Sequence, residues 1–273
     1  MPRAVGSGAT GREFAAMTTT VDVRPDAQVS AMLPGIGITA LTPDDATALA
    51  AAMLIVLLVA QGANIAAMVP VETGLDDPCE AGSCGSLIRW AAGHLDDPRQ
   101  VTPFALEADR SAMHAADATG TLLHGAAFDR ARETLSEGRT ALVVSDAVGM
   151  LDPITPSLTM LDLFARWALG VVVVEPVSRW TVGHVRLMAS SLLSRGLSIT
   201  GVVLSDDGSD AAGHAAAVTA IQETLGALLD CPVLLLPRVL SVHDRAELLT
   251  AARGCGMQRL TGRVLARTEH TSD

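Results

Sequence analysis

The sequence contains no lysine and no tyrosine, and its 19 basic residues, all arginine, face 30 acidic ones for a formal net charge of −11 over 273 residues. Such a deficit of positive charge excludes nucleic acid as a partner, because phosphate neutralisation supplies most of that affinity. It equally disfavours an anionic lipid surface. Aromatic residues make up only 3%, so the core has to be built from Ala, Val, Leu, Ile and Met. With 49% hydrophobic and 18% charged residues the chain is not disordered over most of its length. The four cysteines (Cys79, Cys84, Cys231, Cys255) form neither a CxxC pair nor a disulfide framework, which fits a reducing compartment. The Cys79 and Cys84 pair reads as incidental, and no metal site is expected. Long apolar runs are also missing. Ala48 to Ala60 is interrupted by Gln61 and Gly62, too soon to span a bilayer, and reads as a buried helix. The first 32 residues lack an apolar signal-peptide core, so a cytoplasmic protein is expected, without a membrane partner.

What is present is an alternation of strands and helices. Residues 1–32 read as a flexible leader, within which Met17 is a candidate start, and 266–273 as a frayed tail; 33–265 read as one α/β domain. Strands are expected at Gly35–Leu41, Asn64–Val71, Thr140–Ser145, Gly170–Val177, Ser198–Ser205 and Pro232–Pro237. Helices are expected at Pro43–Gln61, Ser86–His94, Ala126–Glu137, Met160–Leu169, Thr181–Arg195, Ala211–Leu229 and Arg245–Arg253, with Leu95–Gly120 irregular. Apolar runs without alternation mark parallel strands buried on both faces. Strands separated by long helices predict a doubly wound, mostly parallel sheet flanked by helices. Thr159–Leu169 and Thr181–Leu193 carry more Met, Leu and Trp than one buried face requires, which points to a homodimer.

In such sheets ligands bind beyond the carboxyl ends of the strands. The first strand-to-helix turn, Ile38-Thr39-Ala40-Leu41-Thr42-Pro43-Asp44-Asp45-Ala46-Thr47-Ala48, reads by local chemistry as a helix start. Thr42 would be its N-cap, with Pro43 at the first helical position and acids in the first turn. The layout around it resembles the dethiobiotin synthetase family, ATP-dependent enzymes that close the ureido ring of the biotin precursor. The family's P-loop, VTGTDTEVGKT, falls on this turn without a gap. Its KPVxTG segment is matched by Val69-Pro70-Val71-Glu72-Thr73-Gly74, and its PYxF…SPH by Pro103-Phe104 to His114. Its EGAGG…TxxD is echoed by Ser145-Asp146-Ala147-Val148-Gly149 and Thr159–Asp162. Its NHT…RGLxxxGVVLN is echoed by Gly183-His184, Arg195-Gly196-Leu197 and Gly201–Ser205. The motifs run in order over about residues 33–240 and imply the P-loop type of α/β fold.

The same resemblance exposes departures. It places Thr47 where the family has its phosphate-gripping Lys, Ala48 at the magnesium-binding Thr, and Ala40 and Ala46 at loop glycines. Val69 stands at the second active-site Lys, Ser145 at a metal-binding Glu and Ser205 at the adenine-reading Asn. The second metal carboxylate falls near Cys84, with Asp76 or Asp77 as a stand-in. Thr47 brings no positive charge, and no lysine elsewhere replaces it. Asp44 and Asp45 put negative charge where a helix N-terminus would receive phosphate. Phosphoryl transfer rests on positioning and charge neutralisation, so losing both lysines should cost several powers of ten.

The resemblance therefore implies a degenerate member without ATP hydrolysis or other cofactor, which binds a small amine or biotin-precursor-like ligand or serves as a partner subunit. Candidate ligand-binding residues are Thr39, Asp44 and Thr47 in the first turn, Thr73 and Gly74, Ser145 and Asp146, and Thr181 and His184. Asp44 and Asp45 also read as plain helix-cap acids, Asp146 as a solvated turn acid, and His184 and His114 as structural. An alternative is an active ligase using ATP and magnesium through an altered grip, with an arginine from a neighbouring subunit. A third reading, a different, ATP-independent enzyme on the same scaffold, finds no nucleophile in the sequence.

Overall fold

The computed structural model describes residues 33–262, apart from 79, 94, 95, 207 and 209–212. The expected leader, the candidate start at Met17, the tail and Cys79 lie outside these residues. The elements in chain order are β1 (Gly35–Thr39), α1 (Asp45–Ala60), β2 (Ile65–Met68), β3 (Val71–Thr73), α2 (Cys84–Ala92), α3 (Pro98–Val101), β4 (Phe104–Leu106), α4 (Ala112–Thr119), α5 (Gly125–Ser136), β5 (Ala141–Ser145), β6 (Pro153–Thr155), β7 (Leu158–Thr159), α6 (Met160–Arg166), β8 (Gly170–Pro176), α7 (Thr181–Ser194), β9 (Ile199–Ser205), α8 (His214–Leu228), β10 (Val233–Leu235) and α9 (Arg245–Gly254).

Six strands form one parallel sheet in the order β10-β9-β8-β1-β5-β2. The expected doubly wound architecture is therefore present. The chain leaves central β1 toward the β5–β2 side and later resumes on the other side at β8. This makes the carboxyl end of β1 a topological switch point, where side chains from both halves converge. Each apolar run supplies a strand buried on both faces: all of β2 and β5, and the interiors of β8 and β9, are out of solvent. Helix α1 is apolar on every side and is buried from Ala50 to Leu58, packing on α2 and α9 as well as on the sheet. Burial of each of Leu54, Ile55, Leu57 and Leu58 stabilises the fold by about 2 kcal/mol.

Four expectations need correction. Asp44, not Thr42, caps α1. Its extended backbone (φ −143°, ψ −173°) carries the chain two residues past Thr42 before the helix begins. Asn64–Val71 is not one strand, because the backbone turns at Val69-Pro70: β2 joins the main sheet, whereas β3 pairs in parallel with β4 in a separate ribbon. The segment to Gly120 holds α3, β4 and α4, started by Asp97 with Pro98 and by Ser111; such short elements carry no readable period. Helix α6 stops at Arg166, and Ala168 takes a left-handed φ of 50° where the chain reverses into β8. The apolar residues of α6 (Met160, Leu161, Leu163, Phe164), with Trp167 and Leu169, are all spent in the core. Of the two stretches that point to a dimer, only Leu187 and Leu193 of α7 remain as exposed large apolar residues, with the exposed Trp180 just before the helix. Among the described residues no helix is long and apolar enough to cross a membrane.

Candidate functional site

At the carboxyl end of β1 the backbone runs through Ala40 to Asp44 and enters α1. The first amides of a helix have no partner within it and form a ready anion site. Here that site is filled from within the chain. Asp44 Oδ1 accepts from the amides of Ala46 (3.0 Å) and Thr47 (3.2 Å), and the Thr47 hydroxyl accepts from the Asp44 amide at 3.4 Å. The result is a closed capping box, with Thr47 buried and Asp44 and Asp45 exposed.

Next to it, the ends of β1 and β5 are tied together. The buried Thr39 donates its hydroxyl to Asp146 Oδ2 at 2.5 Å, while Asp146 Oδ1 accepts from the amides of Val148 and Gly149 at 2.9 Å each. Asp146 is 1% exposed and burial pushes its carboxyl up to about 6, against the pull of those three donors. It is thus neither a solvated turn acid nor free of the scaffold. Ser145, wholly buried, accepts a hydrogen bond from Cys84 Sγ at 3.3 Å, and burial, with the nearby Glu72 charge, pushes that thiol up to about 12. Glu72, in β3, receives the Cys84 and Gly85 amides at the start of α2 (2.6 and 3.1 Å), and burial raises its carboxyl despite them. Sequence reasoning passed over Glu72, although an acid inside the apolar run Val69–Leu75 was a usable signal.

Beside these groups lies a solvent-open chamber of about 140 Å³ lined by Asp44, Asp45, Glu72, Cys84, Asp146 and Ala48, among others, with no basic side chain in its lining. A second chamber of about 240 Å³ adjoins it, sharing Asp45, Ala48 and Gly82 and adding Leu87, Val242 and His243. Neither Asp76 nor Asp77 lines either chamber. Among the described residues no group of three or more His, Cys, Asp or Glu side chains is arranged to hold a metal ion.

The remaining candidates lie apart from the cleft lining. Thr73 pairs with Leu106 in the small ribbon, and Gly74 follows at φ +77°. Thr181 Oγ1 accepts from the Ser178 amide (2.7 Å) and donates to the Pro176 carbonyl (2.8 Å), which closes the turn between β8 and α7. His184 Nδ1 meets Glu175 Oε1 at 2.6 Å; burial raises the Glu175 carboxyl and the imidazole opposes that rise. The cleft therefore brings Asp44 and Asp146 together, with Ser145, Thr39 and Thr47 held just behind its wall.

Residues 36–245 match the AAA_26 family, described as an AAA domain. Curated relatives bear the name ATP-dependent dethiobiotin synthetase BioD. The protein from Anaeromyxobacter dehalogenans is 32% identical over 151 residues, 55% of this chain and 66% of its own. Those from Novosphingobium aromaticivorans and Rhodopseudomonas palustris are 33% and 30% identical over 138 residues, half of this chain and 62% and 61% of theirs. The match thus spans a little under two thirds of these relatives' length.

Proposed function

The chain belongs to the AAA_26 family of AAA domains, and from that premise we propose that it is a dethiobiotin-synthetase-like protein that has lost its nucleotide grip. On this reading it binds a small amine or biotin-precursor-like ligand, or serves as a partner subunit, and assembles as a homodimer. The observation that carries the reading is the Asp44 carboxylate seated on the Ala46 and Thr47 amides. The resemblance to the family's loop would offer those amides to phosphate.

The surrounding residues do not fit a triphosphate with magnesium either. The chamber beside α1 is lined by four carboxylates and no base, so it repels an anion. Glu72 and Asp146 already accept backbone amides, and Ser145 and Cys84, at the positions given to metal carboxylates, satisfy each other. Val69, where the second lysine is expected, is buried in the core.

Titration calorimetry with magnesium and millimolar ATP tests the proposal. Wild type and Thr47→Lys should bind nothing measurable, since Asp44 and Asp45 remain. A loop rebuilt with Ala40→Gly, Ala46→Gly, Thr47→Lys and Ala48→Thr should regain weak affinity. Tight binding by the wild type would instead favour an active ATP-dependent ligase, the activity named for its relatives.

A further inference from the structure

Thr39 ends the central strand β1 with its side chain out of solvent, and its hydroxyl has one proton for two acceptors. Asp146 Oδ2 lies at 2.5 Å and the carbonyl of the next residue, Ala40, at 3.4 Å. That carbonyl accepts the Met150 amide at 3.1 Å and keeps a second lone pair. The turn on the Asp146 side is fixed. Its Oδ1 holds the Val148 and Gly149 amides, and its own amide donates to the Ile38 carbonyl at 2.8 Å. Gly149, at φ +112°, comes so near the first turn that an added Cβ would stand 3.1 Å from the Leu41 carbonyl oxygen.

A proton that reaches Asp146 through the solvent-open chamber therefore has one place to go. Oδ1 already faces two amide donors, so the proton sits on Oδ2 and points at Thr39 Oγ1. Two hydrogens cannot share a gap of 2.5 Å, and Thr39 has to turn its own toward Ala40. The same oxygen separation suits an O–H donor on either side.

We infer that Thr39 and Asp146 form a proton-operated switch: the ionised Asp146 accepts from Thr39, whereas the protonated Asp146 donates to Thr39, whose hydroxyl then donates to the Ala40 carbonyl. Burial, which pushes the carboxyl up to about 6, sets the reversal in the mildly acidic range. The titratable groups facing it are Asp152 in the same turn, Cys84 at the start of α2, Glu72 on β3, and Asp44 and Asp45 at the start of α1. All are acids, so their charges favour the proton and no base opposes it. On β8, which flanks β1 from the other side, Glu175 is engaged by His184. Protonation removes one charge from the cleft floor and gives the turn entering α1 a new internal donor, without displacing a heavy atom. The switch works whether or not the cleft takes a nucleotide.

The test follows carbon and amide shifts by NMR in the full, isotope-labelled chain from neutral to mildly acidic pH. The Asp146 carboxyl carbon and the Ala40 carbonyl carbon should titrate with one midpoint, and the Met150 amide, which shares the Ala40 acceptor, should move with them. Asp146→Asn places an N–H donor where the protonated acid has its O–H, so its Ala40 carbon should stay at the wild type's low-pH position at every pH. Thr39→Ser should keep the joint titration, and Thr39→Val should leave Asp146 titrating with Ala40 silent. In the wild type alone, an Ala40 carbon that stays still while Asp146 titrates would overturn the switch, as would an Asp146 that does not titrate in this range. An Asp146→Asn protein with its Ala40 carbon at the neutral-pH position would overturn it too.

Discussion

Thr39 and Asp146, 107 positions apart, are joined by a hydrogen bond of 2.5 Å that fastens the end of the central strand β1 to the turn after β5. The carboxyl that makes this link titrates at about 6 because it is buried, against an ordinary 3.8. The native protein therefore takes up a proton between about pH 7 and 4 that the unfolded chain does not, and this group stabilises the fold as pH falls through that window. The slope from one such proton is at most about 1.4 kcal/mol per pH unit. Asp146→Asn, which keeps an acceptor for the Val148 and Gly149 amides, should flatten it. Urea midpoints at pH 7 and 5 decide this, and equal pH slopes in wild type and variant would refute it.

Gly37 lies in the middle of β1 under the ring of Phe164, where an added Cβ would sit 2.9 to 3.1 Å from ring carbons. Overpacking of this kind costs about 1–3 kcal/mol. Gly37→Ala should lose that amount in chemical denaturation, and Phe164→Leu in the same chain should return part of it. Additive losses in the double variant would show that the two residues do not compete for space.

Cys84 should be silent toward alkylating reagents in the native state. Its thiol is buried and held up to about 12, so almost no thiolate exists at neutral pH. Mass spectrometry after brief iodoacetamide treatment should find Cys84 unmodified in buffer and modified in denaturant. Rapid native labelling would mean that the contact with Ser145 opens readily.

We propose that the homodimer forms through α7, whose Leu187 and Leu193 are exposed near Trp180. Light scattering at micromolar concentration should give twice the chain mass, and Leu187→Glu with Leu193→Glu should give the monomer. A monomeric wild type would exclude this interface.

The sheet was legible in the sequence because each parallel strand is an apolar run framed by long helices, so β5, β8 and β9 announce themselves one by one. The β3–β4 ribbon was not, since three-residue strands acquire their identity only by pairing. The start of α1 was misplaced by two residues because Thr42 and Asp44 are both good caps and Pro43 suits either frame. At the site, Asp44, Thr47, Ser145 and Asp146 were read from the alignment of one turn and one strand end. The contact of Ser145 with Cys84 spans 61 positions and the two Glu72 amide bonds span 12 and 13, separations that only the tertiary fold closes.

The capping box of α1 has one more implication. A helix terminus that draws its anion from bulk solvent is ordered only as far as that anion's concentration permits, and its melting point rises and falls with supply. Asp44 is covalently tethered to the amides it serves. The chain itself holds this carboxylate at the amides, so neither dilution nor dialysis can strip the cap from the first turn.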